Sequence, residues 1–237
     1  MSYLILIRHG QSTWNLEKRF TGWVDVDLTE NGKLEAKKAG DLIKAQNIRI
    51  KHYYSSLQLR AINTLKLVQE TLADNQNFTK AWQLNERHYG ELTGLNKIEM
   101  SKKLGEEKVY QFRRSWDLRP GPLDKESIFH PSNIDTYKNV PIENVPDTES
   151  LKDTFVRVTN YYESEILKKL NNGNILISAH GNSIRALCKY LFKLDNIQIS
   201  NLEIPTGNPL QIEIDKSQKV KSCKYLDRVR AKDLVVF

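Results

Sequence analysis

Arg8, His9 and Gly10 set a fixed cation, a titratable nucleophile and a compliant backbone position side by side near the start of the chain. An imidazole attacks phosphorus only when neutral, and an adjacent guanidinium both disfavours the imidazolium and attracts the negative oxygens of a phosphoryl group. Gly10 lets backbone N–H groups approach an anion, and Ser12 and Asn15 add donors that would complete such a cradle. Taken alone, the tripeptide is equally compatible with an ordinary strand-end histidine. The chain repeats the device, however: the apolar run Ile175, Leu176, Ile177 leads to His180, Gly181 and Asn182. Two strand-end histidines of one form point to a shared anionic ligand rather than to packing.

Other residues suit the same chemistry. Thr21 and Gly22 offer a hydroxyl and amides to an anion, and Arg60 falls in the first turn of a helix, where the backbone already favours negative charge. Glu86, Arg87, His88 and Tyr89 crowd another strand end. A carboxyl beside a strongly anionic ligand has its pKa raised, which suits Glu86 to shuttle protons near neutral pH. Arg113 and Arg114 stand at the root of a long irregular excursion and are expected to contact ligand.

The elements that must position these groups follow from periodicity. Leu4 to Ile7 form a continuous apolar run, as in a strand buried on both faces. Thr29 caps a helix carrying Ala36, Ala39, Leu42 and Ile43 on one stripe. A strand over 50–56 leads into a helix with Ala61, Leu65, Val68 and Leu72 at helical spacing, and residues 81–85 read as a third short strand. Helices are expected over 97–104 and 106–114. From Asp117 to Pro146 five prolines and no sustained repeat describe a long irregular excursion, either a functional cap or a disordered stretch, and a cap over the site is the favoured reading. Thr148 reads as the N-cap of a long helix with Leu151, Phe155, Val158, Tyr162, Ile166 and Leu170 as its stripe, ending at Asn172-Gly173. The 175–177 strand comes next, then a helix with Ile184, Leu187, Cys188 and Leu191. Leu210, Ile212 and Ile214 alternate with polar residues in a half-exposed strand, which pairs with 220–225. The last residues, ending Leu234, Val235, Val236, Phe237, are a flap or a docking segment. The expected fold is an α/β three-layer sandwich with a mostly parallel central sheet flanked by helices, plus an irregular cap excursion. It is read as one domain over 1–237, with the cap at about 97–147 and a tail at about 226–237.

Composition narrows the class. With 237 residues, 39% hydrophobic and 27% charged, the chain can bury a sizeable core. Only a brief apolar run precedes Arg8, so neither a signal peptide nor a membrane span is expected, and the location read is cytoplasmic. Cys188 and Cys223 lack zinc or redox spacing, which suits a reducing compartment. A net charge of +7 invites nucleic acid, but the lysines are scattered and no binding motif accompanies them, so an anionic small molecule explains the excess as well.

LIRHGQSTWN, RFTGW, LNERHYGELTGLNK, RRSWD, ESLKDT, AHGNSIRAL and IPTGNPL, in this order, resemble the cofactor-dependent phosphoglycerate mutases of the histidine phosphatase superfamily. The likeness spans about residues 3–215. It implies His9 as the phosphorylated nucleophile, Glu86 as general acid and base, and Arg8, Asn15, Arg60 and His180 around the transferring phosphoryl group. It implies Ser12, Thr21, Gly22, Arg87, His88, Tyr89, Lys97, Arg113, Arg114, Gly181 and Asn182 as the residues that hold the rest of the substrate. The implied substrates are phosphoglycerates, the primer 2,3-bisphosphoglycerate, with no metal, and the assembly a homodimer or homotetramer. Gln11 stands where many relatives carry Glu, and Gln58-Leu59-Arg60 where Leu-Lys-Arg is commoner. A phosphatase and a bisphosphoglycerate synthase would use the same groups, and a non-catalytic anion-binding module is the reading from another class.

Overall fold

A six-stranded mixed sheet organises the molecule, and the computed structural model describes residues 1–231 of it. The strands are β1 (Ser2–Arg8), β2 (Ile50–Ser55), β3 (Phe78–Lys80), β4 (Asn174–Ala179), β5 (Leu210–Ile214) and β6 (Val220–Tyr225), in the spatial order β3-β2-β4-β1-β5-β6. The pairings from β3 through β1 are parallel, and β5 and β6 close that side as an antiparallel hairpin.

Strand periodicity divides the side chains of β1 between two cores. Leu4 and Leu6 face one side with Ile175, Ile177, Ile212 and Ile214, and are covered by α6 (Leu151–Tyr161), α7 (Leu167–Leu170) and α8 (Gly181–Phe192). Ile5, Ile7, Leu176 and Tyr53 face the other, against Ala39 and Ile43 of α2 (Glu30–Lys44) and Leu65 and Val68 of α3 (Leu59–Leu72). Each of the four β1 residues from Leu4 to Ile7 is at most 1% exposed, as a strand covered on both faces requires. The three-layer α/β architecture is therefore the one expected.

The chain from β1 leads to β2 on one side, whereas the chain from β4 leads to β5 on the other. The direction of winding thus reverses between β1 and β4, and in open α/β sheets the crevice at the carboxyl ends of such strands receives ligand. Register makes this concrete, because Arg8 lies opposite Ala179, so the next residues, His9 and His180, leave the sheet together.

Over that edge lies the excursion. Its helices α4 (Lys97–Leu104) and α5 (Glu106–Arg114) have the expected bounds. Asn96 caps α4 and accepts from the Ile98 and Glu99 N–H groups. Beyond α5 the chain makes three single 3-10 turns over 131–144 and is tied down by polar contacts. The Glu91 N–H donates to the Gly121 carbonyl at 2.8 Å, the Thr148 hydroxyl to Pro120 O at 2.9 Å, and the Thr136 hydroxyl to Asp25 at 2.7 Å. Trp23, Tyr137 and Val140 give this segment its own small core.

Several local expectations are corrected. The third strand is Phe78–Lys80 rather than 81–85, where Trp82–Leu84 form a 3-10 turn and Leu84 packs into the main core. Strand β2 ends at Ser55, which frees Ser56 for the site. Ser150 rather than Thr148 caps the long helix, through a reciprocal pair of bonds with Asp153. That helix is also not uniform: residues 162–166 form a π turn before α7 resumes. Within the tail, Val229–Ala231 form a 3-10 turn, whereas the flap or docking role read for Leu234, Val235, Val236 and Phe237 lies outside the described residues.

Candidate active site

His9 follows the last β1 residue and is 2% exposed. Its N–H donates to the Ala179 carbonyl at 3.0 Å, which extends the β1–β4 ladder by one bond. The ring Nδ1 lies 2.7 Å from the Gly10 carbonyl oxygen. A carbonyl only accepts, so Nδ1 carries the proton and Nε2 keeps its lone pair. Burial first, then the Arg60 and Arg8 guanidinium groups, hold the His9 pKa well below the usual histidine range. A neutral imidazole with a fixed tautomer is what attack on phosphorus needs.

His180 stands at the N-cap of α8, its backbone N–H donating to the Ser183 hydroxyl. Its ring lies 5.0 Å from that of His9, centroid to centroid, at 57°. The Ser56 hydroxyl lies 2.7 Å from its Nε2. Burial and then the Arg60 charge depress its pKa well below the usual range too.

The arginines are anchored by backbone. One Nη of Arg60 donates to Val24 O at 2.8 Å and the other to Gly22 O at 2.9 Å, which ties the first turn of α3 to the Thr21–Gly22 loop. Arg8 Nη1 donates to Ile204 O at 2.8 Å, while its buried Nε has no partner among the described residues. An unpartnered buried donor is costly, and this one lies in an arginine that lines the cavity.

Glu86, 8% exposed, accepts from the N–H of Arg87 at 2.8 Å and of Asn182 at 3.1 Å. Its own N–H is held by Gln58 Oε1 at 2.9 Å, and Gln58 Nε2 donates to the same Gly22 carbonyl that Arg60 uses. Behind it, Arg157 donates to the carbonyls of Gln83, Asn85 and Glu86 and pairs with Glu149 at 2.7 Å. Glu149 in turn accepts from the His88 N–H. The whole turn bearing Glu86 is thereby fixed from below.

These groups open onto one cavity of about 100 Å³. It is lined by Arg8, His9, Asn15, Thr21, Gly22, Arg60, Glu86, Tyr89, Lys97, Arg113, Arg114, Gly181 and Asn182 among the expected residues, and by Arg185, Glu203 and Ile204, which were not expected. Against six cationic side chains stand two carboxylates, so the cavity suits a ligand with several negative charges. Burial, the leading effect, pushes the Lys97 ammonium down to about 8. At Tyr89 burial acts upward, but the Arg87 guanidinium, 4.7 Å over its ring, brings the pKa down.

Four expected residues do not line the cavity. His180 sits just beneath, against His9. The Ser12 hydroxyl accepts from the Asn15 N–H as the cap of α1 (Thr13–Leu16), so Ser12 places Asn15. Arg87 donates to Phe112 O, which joins the Glu86 turn to α5. His88 points away, its Nδ1 accepting from Gly90 N–H and its ring 6.5 Å from that of His130; burial first, with His130 adding to it, lowers its pKa to about 3. Among the described residues, no group of three or more His, Cys, Asp or Glu side chains could hold a metal ion.

Residues that sequence reasoning missed share a signal. Arg157 and Arg185 occupy helix positions at which the 3.6-residue period demands apolar side chains, beside Val158 and between Ile184 and Leu187. A buried arginine requires acceptors, and here they are the carbonyls of the site's own loops.

The chain matches the Histidine phosphatase superfamily (branch 1) over residues 4–130 and 129–224, and it belongs to that family. It is 67% identical, over all of both chains, to the 2,3-bisphosphoglycerate-dependent phosphoglycerate mutase of Pelagibacter ubique. It is 50% identical to the protein of that name from a Caulobacter species, with 99% of this chain and 98% of that one covered. Among solved structures it resembles a mycobacterial glucosyl-3-phosphoglycerate phosphatase, with a TM-score of 0.69, 21% identity, and 95% and 98% of the two chains covered. It also resembles the alpha-ribazole phosphatase of Shigella flexneri, with a TM-score of 0.66, 18% identity, and 92% and 93% covered. At such identities the two structures speak to the fold alone.

Proposed function

We propose that this chain is a phosphoglycerate mutase that interconverts 3-phosphoglycerate and 2-phosphoglycerate through a phosphorylated His9, as in glycolysis and gluconeogenesis. The observation that carries the reading is the paired placement of charge in the cavity. Arg8, Arg60 and the two histidines come from the sheet edge, where we place one anion, and Arg113, Arg114 and Lys97 line the same cavity from the cap side, where we place a second. A phosphatase needs only the first. A doubly anionic substrate needs both, and the names of the 50–67% identical relatives agree.

The lining also fits 2,3-bisphosphoglycerate, since six cations and the unpartnered Arg8 Nε suit a polyanion. When bound it supplies the phosphoryl group that primes His9. His9 Nε2, the nitrogen left with its lone pair, forms the P–N bond as the donor's ester P–O bond breaks and Glu86 protonates the departing oxygen, while Gly10 O holds Nδ1–H. In the productive step that P–N bond breaks as the substrate's 2-hydroxyl oxygen bonds to phosphorus, and Glu86 takes the hydroxyl proton. In the reverse step Glu86 returns it. The transition state is loose, with charge spread over the equatorial oxygens, so Arg8, Arg60 and His180 act mainly by fixed electrostatic stabilisation. Tyr89, Gly181 and Asn182 orient the glycerate, and the cap over 97–147 excludes water from phospho-His9. On this reading residues 1–237 act as one catalytic domain. It works in the cytoplasm, a reducing compartment that suits two cysteines without zinc or redox spacing. It assembles as a homodimer or homotetramer, which light scattering would report.

The test is to incubate the purified protein with 3-phosphoglycerate, with and without catalytic 2,3-bisphosphoglycerate and a chelator, and to follow 2-phosphoglycerate. Primer-dependent, chelator-resistant isomerisation is expected. His9→Ala should abolish both turnover and acid-labile phosphorylation of the protein; a variant that still isomerises would remove His9 from the nucleophile's role.

A further inference from the structure

Arg185 projects from the first turns of α8, is 3% exposed and forms part of the cavity wall. Its guanidinium makes five hydrogen bonds, the number of N–H groups it has. Nε donates to Ile199 O at 3.2 Å, and Nη2 donates to the same carbonyl, in α9 (Asn196–Asn201). Nη1 donates to Asn182 Oδ1 at 2.9 Å and to Arg113 O at 3.5 Å, and Nη2 to Arg114 O at 3.4 Å. Every donor is thus spent on the protein, leaving Arg185 its charge but no N–H for a ligand.

The partners matter more than their number. Arg113 and Arg114 close α5, and the cap excursion begins just after them. Their backbone carbonyls, orphaned at a helix end, are held by a group rooted in the helix that His180 caps. Asn182 is fixed in the same clasp, and its Nδ2 donates to the Tyr89 hydroxyl at 3.1 Å. One planar fork therefore sets the relative position of the α8 N-terminus, the cap root and Tyr89. From α9, the Ser200 hydroxyl also donates to Arg114 O, at 3.1 Å.

We propose that Arg185 is a positioning residue that holds the cap-root arginines over the second anion position, and that it thereby sets how phospho-His9 divides between phosphoglycerate and water. A cap root that drifts weakens binding of the substrate's far anion and opens the P–N bond to a water molecule. Water then forms the P–O bond and gives its proton to Glu86, His9 Nε2 leaves with its lone pair and inorganic phosphate is released. A lysine carries the charge but cannot reach four acceptor groups on three elements at once, so geometry rather than charge is the quantity at stake.

This proposal rests on the mutase reading, and the two fail separately. If wild-type protein shows no primer-dependent isomerisation, the reading fails. If it does, Arg185→Met and Arg185→Lys are compared with wild type for KM and kcat with 3-phosphoglycerate, and for the ratio of phosphate released to 2-phosphoglycerate formed. Acid-labile 32P on His9 after incubation with labelled 2,3-bisphosphoglycerate reports an intact site in each. Both variants should still label His9 at saturating primer and early quench, lose that label faster than wild type, raise KM at least tenfold with a smaller loss of kcat, and raise the hydrolysis ratio at least fivefold. Ser200→Ala, a milder loosening of the same carbonyl, should move both quantities in the same direction by twofold or more and covers the case in which the arginine variants do not fold. An unchanged KM and hydrolysis ratio in soluble, labelled variants, or full rescue by lysine, overturns the proposal.

Discussion

Two neutral imidazoles among guanidinium groups carry a thermodynamic cost that pH can expose. His9 and His180 are held well below about 6.5, the unfolded value, chiefly by burial, and His88 is lowered to about 3. Below pH 6.5 the unfolded chain binds protons that the folded one refuses, so stability should fall as the solution is acidified and should be fully present above about pH 6.5. Each such histidine contributes a slope of up to about 1.4 kcal/mol per pH unit. Urea unfolding at pH 7.5, 6.0 and 5.0 should show the decline, and His88→Phe, away from the cavity, should make it shallower. The acid–base role is tested apart from stability: Glu86→Gln should lower kcat by about 10² to 10⁴ with binding largely retained, and an unchanged rate would release Glu86 from that role. At this scale much was legible, because residue type states chemistry: R-H-G, its echo at His180 and the cluster at Glu86 all open onto or abut one cavity. What sequence could not show is which polar residues work one layer behind. Gln58, met only as a departure from a familiar pattern, binds Gly22 O and Glu86 N–H at once. Ser12 and Arg87, read as ligand contacts, lie outside the cavity lining, where Ser12 accepts from the Asn15 N–H and one Nη of Arg87 holds Phe112 O.

Elements place these groups by close approach. A Cβ on Gly10 would fall within the radius of the Gly32 carbonyl oxygen in the first turn of α2, and one on Gly32 within that of Gln11 O. The loop that bears His9 thus leans on a helix end with no room for a methyl group, and the Gly10 N–H donates sideways to Thr64 of α3. Gly10→Ala should destabilise by about 1–3 kcal/mol or more and lower activity by displacing His9. The urea midpoint and kcat measured together check this, and a stable, fully active variant would contradict the packing described. Helix bounds were readable wherever capping and period agreed, as for α4 and α5. They were not where a propensity signal competed with packing. The Ala81–Asn85 stretch looked like a strand, but Leu84 is drawn into the main core by a 3-10 turn and Asn85 is needed to hold Leu57 N–H.

The molecule as a whole is ordered by a register no local pattern encodes. Leu4 lies opposite Ile175 on one side and Ile212 on the other. Periodicity says that β1 is buried on both faces but not by whom, and so it could not foretell that His9 and His180 would leave the sheet side by side. Only the pairing of distant strands, fixed by global packing, creates the site. A fragment ending at residue 173 lacks both neighbours of β1. It should show no cooperative unfolding and should bind a hydrophobic dye, whereas native-like unfolding of that fragment would refute the central place given to β1. The same register reaches back into biosynthesis. At roughly 5–20 residues per second, Leu4 to Ile7 leave the ribosome about 10–30 s before Ile175 exists to receive them. For that interval the stickiest strand of the protein has no home, and a newborn chain must be sheltered by its own transient helices or by chaperones until synthesis delivers its companions.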